Sequence, residues 1–361
     1  MKELRESGVG YPVWVGTGPE PAGALDTLVK GRDVLVLSDR NVAPYHLDGF
    51  CGHLMNAGRL ETLVVPAGED TKSMAGFARI LDTLVDAAFH RDALLVALGG
   101  GMIGDLGGYA AACYQRGIDW VAVPTTLLSQ VDASIGGKTA INHAQGKNLI
   151  GAFHDPLVVW ADPARLDTLA AREYRSGLAE VVKYGLGLDG AFFAWLEANA
   201  EALDERRPDV LAYAIEVSAR TKLRVVAADR MERGNRVLLN LGHTLGHALE
   251  TALGHGAWLH GEAVGVGLLV AGELSARRGA LEQDVVSRLR GLLKAFKLPV
   301  RFPAGVDKDV LAHALELDKK ILSGRLRFIG LEALGKAAVW DDVERGELFA
   351  AIDAAQEAGA G

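Results

Sequence analysis

Four histidines, His243, His247, His255 and His260, crowd the stretch Leu238 to Glu262 (LLNLGHTLGHALETALGHGAWLHGE), and the whole chain has only 10. Asn240, Glu250 and Glu262 lie among them. Leu238, Leu241, Leu245 and Leu253 recur near helical spacing, which predicts an amphipathic helix over the first part. Residues four apart share a helix face, so His243 and His247 stand one above the other. Two imidazoles so placed can hold a divalent cation together, or one can bind metal while the other moves protons. A helix with two polar-face histidines followed by a loop is the plainer alternative. The other chemistry-bearing stretches weigh against it.

One of these is the glycine-rich run ALGGGMIGDLGG, where Gly99, Gly101 and Gly104 satisfy G-x-G-x-x-G. Between a strand and a helix, small residues let the backbone approach a pyrophosphate whose charge faces the helix N-terminus. The match departs from the ordinary dinucleotide fingerprint, since three strand candidates precede it. A variant nucleotide fold is expected, with Asp39 or Glu69 accepting from ribose hydroxyls.

The elements that must position these groups fall into two kinds. Residues 11–15, 33–39, 61–66, 92–98, 119–124 and 156–162 are short β-branched runs separated by helical stretches, which predicts a parallel sheet covered on both faces. Ligands of such sheets sit at the carboxyl ends of strands. Asp39, Asn41, Glu69, Lys72, Thr125 and Thr126 are the polar residues expected there. Beyond Asp162-Pro163 helices take over, so the expectation is an α/β domain over 1–165 and a mainly helical domain over 166–361. Helices are expected at 207–231, 261–278, 283–296, 307–318 and 341–356. A short strand pair (LRFIGLEA, KAAVW) fits either a small sheet in the helical domain or a strand returning to the first.

Several charged groups remain. The segment 129–153 carries Asp132, Lys138, Lys147 and Asn148 and suits a loop gripping an anion. Arg116 follows a helix end, where it could equally satisfy the helix dipole. Glu180 and Lys183 are three apart, and spacing alone favours an intrahelical ion pair. Lys222 lies on the long helix, and Arg236 and Lys319 follow. Taken together, one acid with two imidazoles is a catalytic zinc set that leaves a position open for substrate. A metal beside a nicotinamide suggests alcohol oxidation. So many cations suggest a substrate with several negative charges.

Composition narrows the classes further. A length of 361 residues exceeds what one core usually serves, so two domains are expected. A net charge of -8 argues against nucleic-acid or anionic-membrane partners. Two cysteines, Cys51 and Cys113, exclude a disulfide framework or a four-thiolate zinc site. The charged N-terminus lacks a signal-peptide core, and AVGVGLLVAG (263–272) is too short to span a bilayer, so a cytoplasmic protein is expected.

The runs PAGEDTKS, GGGMIGDLGGYAAACYQRG, VPTTLLSQVDASIGGKTAIN, GKNLIGAFHDP, SGLAEVVKYG, LLNLGHTLGHALE, HGEAVGVG and DKK resemble, in order, those of the 3-dehydroquinate synthase family. The resemblance covers about residues 39 to 330. It implies a Rossmann-like NAD-binding α/β domain, a C-terminal mainly α-helical metal-binding domain, and a homodimer. By resemblance, Glu180, His243 and His260 bind zinc or cobalt, and His247 moves protons. NAD contacts are implied for Asp39, Asn41, Glu69, Lys72, Gly101, Gly104, Asp105, Thr125, Thr126, Lys138, Lys147 and Thr168. Substrate contacts are implied for Asp132, Lys138, Asn148, Lys183, Lys222, Arg236, Asn240 and Lys319, and Arg116 is implied to reach across the dimer. The implied reaction turns 3-deoxy-D-arabino-heptulosonate 7-phosphate into 3-dehydroquinate and phosphate. It runs by transient oxidation with NAD+, elimination, re-reduction and aldol closure. Other sugar phosphate cyclases are the nearest alternative, but Leu239, Asn240, His247 and Lys319 match the dehydroquinate form. Metal-dependent polyol dehydrogenases, which share the layout, come next.

Overall fold

The computed structural model describes residues 1–18, 23–254, 257–302, 306, 311, 321–322 and 325–357. His255, Lys319 and almost all of the expected helix at 307–318 lie outside the described residues. The chain forms two compact units, Met1–Ala170 with Ala212–Met231, and Ala171–Leu211 with Glu232–Gly361.

In the first unit the apolar runs become strands β1 (Lys2–Leu4), β2 (Val13–Val15), β3 (Asp33–Asp39), β4 (Arg59–Val65), β5 (Leu94–Gly99) and β6 (Asp119–Pro124). Strands β7 (Lys138–His143), β8 (Gly146–Phe153) and β9 (Val159–Ala161) follow. Seven of these make one sheet in the order β1-β2-β9-β6-β5-β3-β4, parallel except for the β1–β2 pair. Helices α1 (Ala24–Val29), α2 (Ala43–Cys51), α3 (Met74–Asp86) and α4 (Gly101–Cys113) connect the strands. Val34 and Val36 join Leu25 and Val29 of α1 and Phe50 of α2 in one core. The alternate residues Leu37, Leu95 and Ala97 face Gly107 of α4 instead. Central strands with both faces buried read as unbroken apolar runs, which is why they were legible.

The strand order turns between β3 and β5, with β4 outside one and β6 outside the other. Carboxyl ends at such a reversal flank the ligand crevice of an open α/β sheet. Here those ends carry Asp39 and Gly99. All six expected strands are present, β3 and β6 with the expected bounds and the other four with shifted ends. Segment 129–153, expected as a loop, is instead a helical turn (Ser129–Ala133) and the antiparallel β7–β8 hairpin. Lys138, Lys147 and Asn148 of the hairpin are exposed, whereas Ser129, Gln130, Ser134 and Thr139 of the same segment are buried.

The second unit holds α5 (Ala171–Leu188), α6 (Gly190–Ala198), α7 (Ala200–Asp204) and the first residues of α8 (Pro208–Ala228). It continues with α9 (His243–Leu253), α10 (His260–Arg277), α11 (Gln283–Ala295) and a final helix, α12 (Arg345–Glu357). Most of α8 groups with the first unit, although it follows residue 166. The apolar run 263–272 lies within α10, which is buried almost throughout and packs on α5, α9, α11 and α12. Strands β10 (Ile321–Leu322), β11 (Arg325–Ala333) and β12 (Lys336–Val343) make a small antiparallel sheet within this unit. That outcome decides between the two placements the strand pair allowed. Among the described residues, no helix is long and apolar enough to cross a membrane.

Candidate active site

Three elements of the second unit bring one carboxylate to two imidazoles. Glu180 lies on α5, fully buried. His243 opens α9 directly after Gly242, whose φ of 78° ends the preceding turn in a conformation that glycine adopts without strain. His243 Nδ1 lies 3.1 Å from the Leu241 carbonyl. A carbonyl can only accept, so Nδ1 carries the proton and Nε2 keeps its lone pair. That Nε2 lies 3.4 Å from Glu180 Oε1.

His260 opens α10, and its position is set by packing around it. Glu262 accepts from the Leu259 backbone N–H at 2.8 Å, while Arg172 grips both Glu262 oxygens at 2.8 Å. The Gly261 N–H donates to Ser176 Oγ at 3.0 Å. A Cβ on Gly261 would stand 1.8 Å from the Ser176 carbonyl oxygen, so α10 approaches α5 as closely as only glycine permits. His260 Nε2 is thereby 3.3 Å from Glu180 Oε1, and its Nδ1 is 3.5 Å from Glu250 Oε2.

These spacings fit a metal. Ligand bonds of about 2.0–2.1 Å in a tetrahedron set donor separations near 3.3–3.4 Å. The separations from Glu180 Oε1 to the two imidazole nitrogens are 3.4 and 3.3 Å. Burial pushes His243 down to about 3 against the pull of Glu180, so it stays a neutral ligand. Burial also acts to lower His260, but hydrogen bonds to Glu180 and Glu250 outweigh it and lift the imidazole to about 9. Among the described residues, His247, Glu250 and His260 form a second possible donor set, sharing His260. The Glu180 set is the more buried, and the Leu241 carbonyl fixes one of its tautomers. His247 lies exposed one turn beyond His243, their ring centroids 5.5 Å apart.

Around this set, Lys183 Nζ meets Glu180 Oε2 and lies over the Tyr184 ring. This is the intrahelical ion pair that spacing favoured, and with 2% and 0% exposure it is buried. Arg236 is also buried, on the short turn Asn235–Asn240. Asn240 donates to Glu232 at 3.4 Å. Glu232 and Arg172 were not singled out from sequence, and Glu250 was noted only as an acid among the histidines; Arg172 meets Glu262 from 90 residues away.

The first unit gathers a second group of polar residues. The turn after β5 leads through Gly100 into α4, and a Cβ on Gly104 would meet open space. Asp39 Oδ1 accepts from the backbone N–H groups of Asn41 and Val42 at 2.8 and 3.2 Å. Lys72 is buried and donates to Asp105 and Asn148, both at 2.5 Å. Burial raises the Asp105 carboxyl while Lys72 pulls it back. Glu69 accepts from Asn142 at 2.9 Å. The Thr125 N–H donates to the Gly99 carbonyl at 3.0 Å, and the Ser129 N–H to Thr126 Oγ1 at 3.2 Å. Thr168 Oγ1 and His46 Nε2 are 2.7 Å apart. Lys222 of α8 meets Asp132 through that residue's carboxylate and, at 2.7 Å, its carbonyl. Arg116 is exposed. It and Gln115 both have positive φ, 69° and 51°.

The models of the 3-dehydroquinate synthase N-terminal and C-terminal regions match residues 62–176 and 177–321. The chain belongs to the 3-dehydroquinate synthase family. A 3-dehydroquinate synthase of Nitrosococcus oceani is 47% identical over 346 residues, covering 96% of each chain. One of Methylococcus capsulatus is 48% identical over 349 residues, covering 95% of this chain and 96% of its own. Among solved structures, a 2-epi-5-epi-valiolone synthase of Streptomyces hygroscopicus with NAD+ and Zn2+ bound superposes with a TM-score of 0.87. It has 29% identity, with 99% of each chain covered. A 2-deoxy-scyllo-inosose synthase complexed with carbaglucose-6-phosphate, NAD+ and Co2+ gives 0.88 at 25%, covering 99% of this chain and 100% of its own. The α/β unit with its parallel sheet and the mainly helical unit of this chain superpose on these structures over 99% of its length. The carboxylate–histidine set and the Lys183–Glu180 pair fall within the C-terminal match, and the glycine turn within the N-terminal one.

Proposed function

We propose that the chain is a 3-dehydroquinate synthase, a carbon–oxygen lyase that converts 3-deoxy-D-arabino-heptulosonate 7-phosphate to 3-dehydroquinate and phosphate on the shikimate route to aromatic amino acids. The observation that carries this is identity of 47% across 96% of the chain to a protein of that name, against 29% and 25% to the valiolone and inosose synthases. Bound NAD+ supplies reversible hydride uptake, and zinc or cobalt at Glu180, His243 and His260 supplies Lewis acidity.

The chain's own residues do the rest. The first unit, Met1–Ala170 with Ala212–Met231, receives NAD+ at the reversal between β3 and β5. Backbone N–H groups opening α4 around Gly101 and Gly104 face the pyrophosphate. Asp39 has one oxygen committed to the turn, which leaves the other for a ribose hydroxyl. Asn41, Glu69, Lys72, Asp105, Thr125, Thr126, Lys138, Lys147 and Thr168 complete the cofactor contacts. Lys138, Lys183, Lys222, Arg236 and Lys319 meet the substrate's carboxylate and phosphate, with Asp132, Asn148 and Asn240 binding its hydroxyls. His247 takes and returns the proton as the hydroxyl is oxidised and the ketone reduced. Because the hydride goes back, NAD+ is not consumed.

The test is to supply the heptulosonate phosphate, NAD+ and zinc and follow phosphate and NADH together. Phosphate with 3-dehydroquinate and no net NADH is expected. Net NADH from a polyol without phosphate would place the chain with the dehydrogenases, and turnover of a neutral sugar phosphate with the other cyclases. His247→Ala is expected to lower kcat about 10²–10⁴-fold while one metal per chain remains, read by elemental analysis. Loss of metal in that variant would exchange the roles of the histidines.

The reading includes a cytoplasmic homodimer. Free Cys51 and Cys113 suit a reducing compartment. Two consecutive non-glycine residues at positive φ store strain that a site-directed Arg116 justifies. Arg116→Ala and His247→Ala, each nearly inactive alone, are expected to recover about a quarter of wild-type activity when dissociated and remixed, since one site per mixed dimer is then intact. No recovery would confine Arg116 to its own chain's site.

A further inference from the structure

Asn142, on β7, is outside every contact set given above. We infer that it is the positioning residue that couples the cofactor side of the first unit to Asn148. Its side-chain N–H donates to Glu69 Oε1 at 2.9 Å, and its side-chain oxygen accepts the Asn148 backbone N–H at 3.0 Å. Its own backbone N–H donates to the Lys72 carbonyl at 2.8 Å. Asn148 sits at φ 58°, a conformation asparagine tolerates better than most residues. From there its side-chain oxygen accepts from Lys72 Nζ at 2.5 Å, and Lys72 donates in turn to Asp105. The bonds close a ring: Asn142 holds Glu69 and Asn148 by side chain and the backbone of Lys72 by main chain, and Lys72 returns to Asn148.

The chemistry fixes which way round the amide must stand. Ionised Glu69 has only acceptors, so it demands the NH2 face. The Asn148 N–H demands the oxygen face. A carboxylate at 142 would keep the second bond and oppose the first, whereas a methyl group would lose both. This separation gives the residue a signature that a merely structural role lacks.

The inference rests on the proposed function in taking Glu69 as an NAD+ contact and Asn148 as a substrate contact. It is tested in the full-length protein with zinc, measuring NAD+ affinity by titration calorimetry and KM for the heptulosonate phosphate. Asn142→Asp is expected to weaken NAD+ about 10–100-fold while KM stays within about twofold, the range of a hydrogen bond to a charged group. Asn142→Ala is expected to worsen both. In the Asn142→Asp, Glu69→Gln double variant the amide introduced at position 69 donates to the carboxylate introduced at position 142. The penalty of Asn142→Asp on NAD+ affinity should therefore largely vanish on that background. Additive losses, or equal effects of Asn142→Asp and Asn142→Ala on both ligands, would overturn the inference. A Glu69→Gln single variant with unchanged NAD+ affinity would instead overturn the assignment of Glu69 as a cofactor contact.

Discussion

Glu180→Gln is expected to give a folded protein that retains no metal and turns over at least about 10³-fold more slowly, the several kcal/mol a Lewis acid supplies to such a step. The substitution keeps shape in a fully buried position. It removes the one anionic donor and leaves two imidazoles, one held neutral by burial. It also takes from Lys183, 2% exposed, the carboxylate that its Nζ meets. Breaking a buried pair from one side costs about 3–5 kcal/mol, so the melting temperature should fall as well. Adding Lys183→Met should restore the melting temperature and leave the metal lost, which separates the two effects. A Glu180→Gln protein with one metal per chain would move the site to His247, Glu250 and His260.

Gly261→Ala is expected to be damaging too, though less than Glu180→Gln, and it acts through the position of His260. The new Cβ would lie 1.8 Å from the Ser176 carbonyl oxygen, which belongs to α5 backbone and cannot rotate away. The start of α10 must retreat by something on the order of 1 Å, at a cost of about 1–3 kcal/mol or more. His260 moves with it, and a displacement of that size lowers activity about 10²-fold. Metal affinity should fall in parallel, measured by chelator competition. Wild-type affinity with only a lowered melting temperature would show that His260 adjusts independently of its helix.

What the sequence disclosed follows the reach of each signal. Strands β3, β5 and β6 were legible because burial on both faces writes itself as Val, Leu and Ala runs, and α10 because its apolar run is long. The β7–β8 hairpin was not legible. Its second strand exposes Lys147, Asn148 and Leu149 in succession, and its pairing depends on partners across a turn without a strong signal. His243 and His247 were legible as a helical pair. Their choice of partners was not, because Glu180 lies far upstream and only the fold, or family resemblance, brings it in. Side chains that work through others, such as Arg172 and Asn142, carry no local signature at all.

The path of the chain has a consequence for synthesis. The first unit stays incomplete at Ala170 and is finished only by Ala212–Met231, after part of the second unit has been made. At about 5–20 residues per second, the roughly 60 residues up to Met231 leave the emerging unit, its strands all made, without its last helix for roughly 3–12 s. During that wait Asp132 has been made but its partner Lys222 has not. A nascent chain stalled in this window exposes surface that a chaperone can hold, and cutting the gene at residue 170 gives a fragment without its final helix.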